Sequence, residues 1–379
     1  VTYIASRKRE YRYRRSLWKP PALRALGGDS LYLCLQTRAK VFASNDTKDL
    51  LRYHSIIPEG EALLRQLLDY VQLYEEGLKQ LPPEVSITEI YRGRNVLYRV
   101  TCPEGDYTVK HFGRLSPLRQ LYYGWTNTSK ARRSLLNALQ LSAYQLGTPE
   151  PIGYVEQRNT WGGLEDSYYV TLYIEFTGDS LQHEARSGEV NEPLTRALAD
   201  FLARLHDCGV VHEDLSPGNI PYIYERVREE YTFMLVDLNR MHFTATPLSL
   251  GYSIRNMERL FAHPRATEAL GKAYATARGY APEVVQPALE KACDTFWLHR
   301  LPKLALRYAQ RYKGVGTVTF FVRYGTYLLG RCLRHLSPSP SWRRKLHLRE
   351  SAFYTAYLEP EDVRRALARR ESYPHTPLP

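Results

Sequence analysis

Hydrophobic and polar positions follow two different periods along this chain, and the switches between them mark its organisation. From Glu61 to Leu78, the residues Leu64, Leu67, Leu68, Val71 and Leu78 recur at helical spacing, which predicts one amphipathic helix. From Val85 the period drops to that of a strand. Val85–Tyr91, Val96–Thr101 and Tyr107–Phe112 read as antiparallel strands separated by turns at Arg92–Asn95 and Pro103–Asp106. Lys130–Leu146 returns to helical spacing through Leu135, Leu139 and Leu146, and Gly147 and Pro149 end it. Pro151–Glu156 and Tyr168–Ile174 supply two further strands, with Trp161-Gly162-Gly163 turning between them.

The second half is mainly helical. Asn191 caps a helix that has Pro193 in its first turn, and Leu194, Leu198, Phe201, Leu202 and Leu205 share one face until Gly209 stops it. Ile220–Tyr224 and Tyr231–Val236 read as short strands around the charged turn Arg226–Glu230, with Pro221 indicating an edge. Asn256–His263, Pro264–Gly279 and Pro282–Leu301 are bounded by Pro and Gly as helices. Val315–Leu333 is largely apolar but carries Arg323 and Arg331, and is read as a core helix.

Between these segments lies the stretch richest in chemistry. Val210–Asn219 reads Val-Val-His-Glu-Asp-Leu-Ser-Pro-Gly-Asn, and Leu235–Asn239 reads Leu-Val-Asp-Leu-Asn. An aspartate, an asparagine five residues on, and a second aspartate closing an apolar run form the base and metal set of kinase-like phosphotransferases. A hydroxyl attacking a γ-phosphate needs a carboxylate to accept its proton, the role assigned to Asp214. ATP is used with Mg²⁺, a hard cation that takes oxygen ligands, here the Asn219 amide oxygen and the Asp237 carboxylate. His212 reads as structural, packing the loop against the Asp237 turn. Asp, Ser, Pro, Gly and Asn also build ordinary surface turns, but the order of the polar positions and their flanks favours the catalytic reading.

With that motif placed, Lys110 becomes the lysine that holds the α- and β-phosphates. Gly93 and Arg94, in the preceding turn, are the candidate phosphate cradle, with Arg92 adding charge. Glu175, in Glu175-Phe176-Thr177-Gly178, falls where a hinge between lobes would hold adenine. The expected fold is α+β and two-lobed, protein-kinase-like, with a small antiparallel β lobe and a mainly helical large lobe. Its parts are a basic N-terminal extension (1–58), the N-terminal region with the small lobe (59–178), the large lobe (179–336) and a basic tail (337–379). Two departures stand out. No Asp or Glu occurs between Lys110 and Glu150, so the helix carboxylate that orients the lysine is missing, with Leu136 about where it would stand. Leu238-Asn239 follows Asp237 instead of Phe-Gly, and Glu213 precedes Asp214 instead of arginine, which suits a small-molecule or glycan kinase better than a signalling kinase.

Composition sharpens the choice of partner. The 379 residues are 44% hydrophobic, enough for a core, and the net charge of +12 is unevenly placed. Residues 1–20 hold seven basic side chains and one acidic, and residues 111–149 hold five basic and no carboxylate. Anionic partners follow: nucleotide, phosphorylated sugar or acidic lipid headgroups, with nucleic acid not expected. Trp342-Arg343-Arg344-Lys345, after a Ser-Pro linker, would suit the headgroup region of a membrane. The five scattered cysteines indicate neither a disulfide framework nor a zinc site, and point to a reducing compartment.

Lys130-Ala131-Arg132-Arg133-Ser134, Thr148-Pro149-Glu150-Pro151-Ile152-Gly153-Tyr154, His212–Asn219 and Val236-Asp237-Leu238-Asn239-Arg240-Met241 resemble the bacterial lipopolysaccharide kinases that phosphorylate inner-core heptose or Kdo, over about Val85–Leu260. The resemblance implies a protein-kinase-like fold, ATP with Mg²⁺, and a cytoplasmic enzyme at the inner face of the inner membrane that phosphorylates a lipopolysaccharide core or lipid-linked glycan. It implies Asp214 as base, Asn219 and Asp237 as metal ligands and Lys110 as phosphate lysine. Two alternatives remain open: an aminoglycoside-type small-molecule phosphotransferase, and a pseudokinase scaffold at the membrane.

Overall fold

The computed structural model of the chain describes residues 42–43, 51–58, 60–77, 81–113, 120, 128–177, 181, 188–336, 339, 341 and 356–357. Two compact units divide the chain, Val1–Ile174 and Glu175–Pro379.

In the first unit the strand-period stretches form an antiparallel sheet in the order β1-β2-β6-β7-β5-β4-β3. Its members are β1 (Phe42–Ala43), β2 (Leu51–Ser55), β3 (Ser86–Arg92), β4 (Val96–Cys102), β5 (Gly105–His111), β6 (Pro151–Arg158) and β7 (Leu164–Leu172). Alternation along β4 and β5 sends Tyr98, Val100, Tyr107 and Val109 to one face, where helix α1 (Gly60–Glu75) lays Leu64, Leu67, Leu68 and Val71 against them. Each such leucine contributes about 1.5–3 kcal/mol by leaving water. Gly153 is obligatory in this packing, since a Cβ there would stand 2.3 Å from the His54 carbonyl and 2.8 Å from Leu64.

β2 corrects the sequence reading, which left residues up to 58 in an extension. Leu51–Ser55 pairs with β6 and places Tyr53 in the core. Its five residues, Leu-Arg-Tyr-His-Ser, are too few and too polar to announce a strand; the open edge of β6 makes them one. The Arg-rich, aromatic segment before residue 20 and the basic patch at 342–345 lie outside the described residues.

On the other face of the sheet, α2 (Lys130–Ala143) packs on β6 and β7, with the Ser129 side chain accepting from the Arg132 amide at its N-terminus. Its buried positions are Ala131, Ser134, Leu135, Ala138 and Leu141. Leu136 is 43% exposed, so it does not occupy the place of the missing carboxylate. A glutamate there would face water.

The second unit opens with α3 (Glu192–Asp207), capped by Asn191 and buried along Leu194, Leu198, Phe201, Leu202 and Leu205. Gly209 then reverses the chain at φ +70°, where a Cβ would lie within 2.7 Å of Thr244 and Thr246 atoms. Two small antiparallel pairs follow, β8 (Val210–His212) with β11 (Met241–Phe243), and β9 (Tyr222–Glu225) with β10 (Glu230–Phe233). Helices α4 (Leu250–Met257), α5 (Pro264–Arg278), α6 (Pro282–Lys313) and α7 (Thr317–Leu336) complete it.

Three helices differ from expectation. α4 lies earlier than the expected 256–263, because Ile254 and Met257 bury from a start at Ser249 that Gly251 disguises. α6 continues past Leu301 through Pro302. An internal proline costs roughly 3 kcal/mol, offset here by the packing of Ala305 and Ala309 beyond it with Phe320 and Tyr327. α7 is not a core helix. Phe320 and Tyr327 are buried, while Val318, Val322, Leu329, Leu333 and Leu336 are all more than half exposed. Among the described residues no helix is long and apolar enough to cross a membrane.

Candidate active site

The loop after β8 is built around a neutral histidine. His212 is fully buried, and burial holds its pKa below the usual range. Its Nε2–H donates to the Val236 carbonyl at 3.0 Å, and its Nδ1 accepts the Asp214 amide at 3.2 Å. One ring therefore ties the Asp214 loop to the residue before Asp237, as its structural reading expects. Asn219 adds a second tie: its Nδ2 donates to the Asp214 carbonyl at 2.8 Å, while its own carbonyl accepts the Val236 amide at 3.1 Å. Asp237 sits at φ 58°, a backbone region that short polar side chains tolerate through local bonds, and Asn239 donates to its Oδ1 at 2.6 Å.

Behind the loop, a chain of hydrogen bonds runs into the helical core. Arg278 donates to the Tyr274 hydroxyl (3.0 Å), Tyr274 to His206 Nδ1 (2.7 Å), His206 Nε2 to Asn256 Oδ1 (3.3 Å), and Asn256 Nδ2 to the His212 carbonyl (2.7 Å). Burial pushes the His206 pKa down to about 3, so each ring nitrogen keeps one donor or acceptor role. Such a buried series is stiff because every member is satisfied.

Asp214 itself receives Arg259 Nη1 on Oδ1 at 2.5 Å. Sequence reasoning missed Arg259, Asn256 and His206. Arg259 lies 45 residues from the aspartate, and only the return of the chain after α4 brings the two together. Glu213, the neighbour of Asp214, turns outward to His242 at 2.7 Å.

The structure thus gathers Asp214, Asn219 and Asp237 within the second unit through His212, Val236 and direct bonds. Glu175 is exposed at the first residue of that unit, and Thr177 behind it bonds to β9 through Tyr222 and Tyr224. Lys110, Gly93 and Arg94 belong to the other unit. There, Lys110 lies on β5 opposite Leu97 and Tyr169, on the face away from α1, with its Nζ 5.3 Å from the Phe112 ring that Lys130 of α2 also approaches. Gly93 and Arg94 form the β3–β4 turn, and the Arg94 carbonyl lies close to Gly113, just past β5. Arg92 donates its Nε to Glu89 at 2.8 Å, and Arg94 beside it is exposed.

The donor chemistry suits a hard cation. Asn219 has its nitrogen committed to Asp214, which leaves the amide oxygen, and Asp237 supplies a carboxylate. Among the described residues no group of three His, Cys, Asp or Glu converges.

Residues 117–265 match the lipopolysaccharide kinase (Kdo/WaaP) family. No curated protein matches the chain. A solved structure described as WaaP in complex with acyl carrier protein aligns with 58% of this chain and 90% of its own, at 15% identity and a TM-score of 0.39.

Proposed function

We propose that this chain, whose residues 117–265 match the lipopolysaccharide kinase (Kdo/WaaP) family, is a phosphotransferase that moves the γ-phosphate of ATP to one sugar hydroxyl of a lipopolysaccharide inner core or a related lipid-linked glycan. The observation that carries the proposal is the tie between the Asp214 loop and the Asp237 turn through His212 and Asn219. In this reading Asp214 takes the proton of the acceptor hydroxyl through Oδ2, the oxygen that Arg259 leaves free, as the new O–P bond forms and ADP departs. Asn219 and Asp237 are the residues that would hold Mg²⁺. That ion would neutralise the charge of the phosphates. Lys110, with Gly93 and Arg94, is the first unit's candidate for contact with the phosphates, and Glu175 is the second unit's candidate for the adenine.

The partner of the base weighs against an aminoglycoside-type acceptor. A polycationic drug would meet Arg259 beside the reacting oxygen, a like-charge contact. For location, the exposed apolar side of α7 supports a peripheral place on an anionic membrane surface, where a lipid-linked glycan would be met.

Transfer of labelled γ-phosphate to purified core glycan tests this, wild type against Asp214→Asn. The variant should lose activity by a factor of roughly 10² to 10⁴ while still binding nucleotide. Equal turnover would remove Asp214 as base. Nucleotide binding without transfer by the wild type would favour the scaffold.

A further inference from the structure

Arg259 is not alone beside the base. Its guanidinium carbon lies 5.2 Å from the centroid of the Phe296 ring, and that of Arg300 lies 4.6 Å from the same centroid. Two cations therefore share one aromatic ring next to Asp214. Arg259 suffices to hold the carboxylate, so a second guanidinium at the same ring is surplus to that task. The Arg300 pKa is lowered, first by partial burial and then by Arg259 and Arg307, against the opposing pull of Asp214 and Glu258.

The sequence of α6 extends the pattern. Phe296, Arg300, Lys303, Arg307 and Arg311 are spaced by four, three, four and four residues, which sets them along one side of the helix. The basic residues among them are exposed. From Arg300 this stripe runs about 16 Å away from the base, at 1.5 Å per residue. A guanidinium braced on a ring keeps its N–H edge available, and that fork matches carboxylate and phosphate oxygens in pairs.

We propose that Arg259 and Arg300, braced on Phe296, form an anion subsite beside Asp214 that holds a carboxylate or phosphate borne by the acceptor near the hydroxyl to be phosphorylated. This rests on the kinase reading of Asp214. It makes acceptor choice a matter of charge as well as sugar shape, and it makes binding sensitive to salt.

Equilibrium binding to the full chain tests it without requiring turnover. The probes are Kdo (a carboxylate), mannose 6-phosphate (a phosphate) and mannose (uncharged). Wild type should prefer one or both anions to mannose. Arg300→Gln should weaken the preferred anion roughly ten- to a hundredfold, the worth of a charged hydrogen bond, and leave mannose as it is. Arg300 is exposed, so this variant should keep its fold and melting temperature, and Lys272→Gln on α5 controls for a lost surface charge. Which anion is preferred tells a sugar acid from a sugar phosphate. Equal wild-type affinity for all three sugars would overturn the subsite, as would anion binding unchanged in both Arg300→Gln and Arg259→Gln. Failure of phosphate transfer by the wild type would count separately, against the kinase reading alone.

Discussion

The side-chain nitrogen of Asn219 donates to the backbone carbonyl of Asp214 across 2.8 Å, which fixes the amide so that its oxygen is the atom left over. Asn219→Ala removes both the brace and that oxygen. Activity should fall by about 10²-fold, the scale seen when one fixed polar group aimed at developing charge is lost, and the Mg²⁺ concentration for half-maximal rate should rise. Initial rates across a Mg²⁺ series check this; a variant with the wild-type Mg²⁺ dependence would show that Asn219 only braces the loop.

His206 makes the fold acid-sensitive. Its folded-state pKa of about 3 lies below the ordinary 6.5, so above pH 6.5 both folded and unfolded chains carry it neutral. As pH falls from 6.5 towards 3 the unfolded chain takes up a proton that the folded one refuses, and stability is lost. At pH 5 the loss from this group is about 2 kcal/mol. His206→Gln, which cannot protonate, should show a shallower fall of melting temperature between pH 7 and 5. Parallel curves for the two proteins would discard His206 as the source.

Adding a carboxylate at position 136 should not rebuild the lysine–glutamate pair of protein kinases. Leu136 looks outward from α2, away from the positions buried on the sheet. Leu136→Glu is expected to shift stability by no more than about 0.5 kcal/mol and to leave the KM for ATP at its wild-type value. A lower KM would place the helix differently.

The exposed side of α7 predicts lipid contact. Leu329→Glu combined with Leu333→Glu removes two apolar contacts, each worth about 1.5–3 kcal/mol when fully buried, and puts like charge against an anionic surface. Sedimentation with phosphatidylglycerol vesicles should drop at least tenfold relative to wild type. Unaltered partition would reassign that side of the helix.

The elements that could be read in advance are those whose signal is local. α3 carries its own cap, proline and apolar stripe, and the Val210–Asn219 stretch carries its candidate chemistry in ten consecutive residues. What could not be read depends on distant partners. β2 is a strand because β6 offers it an edge, and α6 outlasts Pro302 because α7 packs beyond it. Arg259 and Asn256 gain their meaning only when α4 returns to the loop, since an arginine and an asparagine in a helix-rich stretch look like ordinary surface. Leu136 falls about where the carboxylate would stand by counting along the chain yet faces outward, because counting does not say which side of a helix meets the sheet.

The cover that α1 gives the sheet reaches into how the protein can be divided. Val155, Tyr168 and Val170 lie inside the family-matched stretch, yet their apolar neighbours Leu64, Leu67, Tyr98 and Val109 all come from before it. A fragment cut to residues 117–265 would leave a bare greasy plane that invites clumping. The smallest piece able to stand alone in water must begin upstream of Leu51.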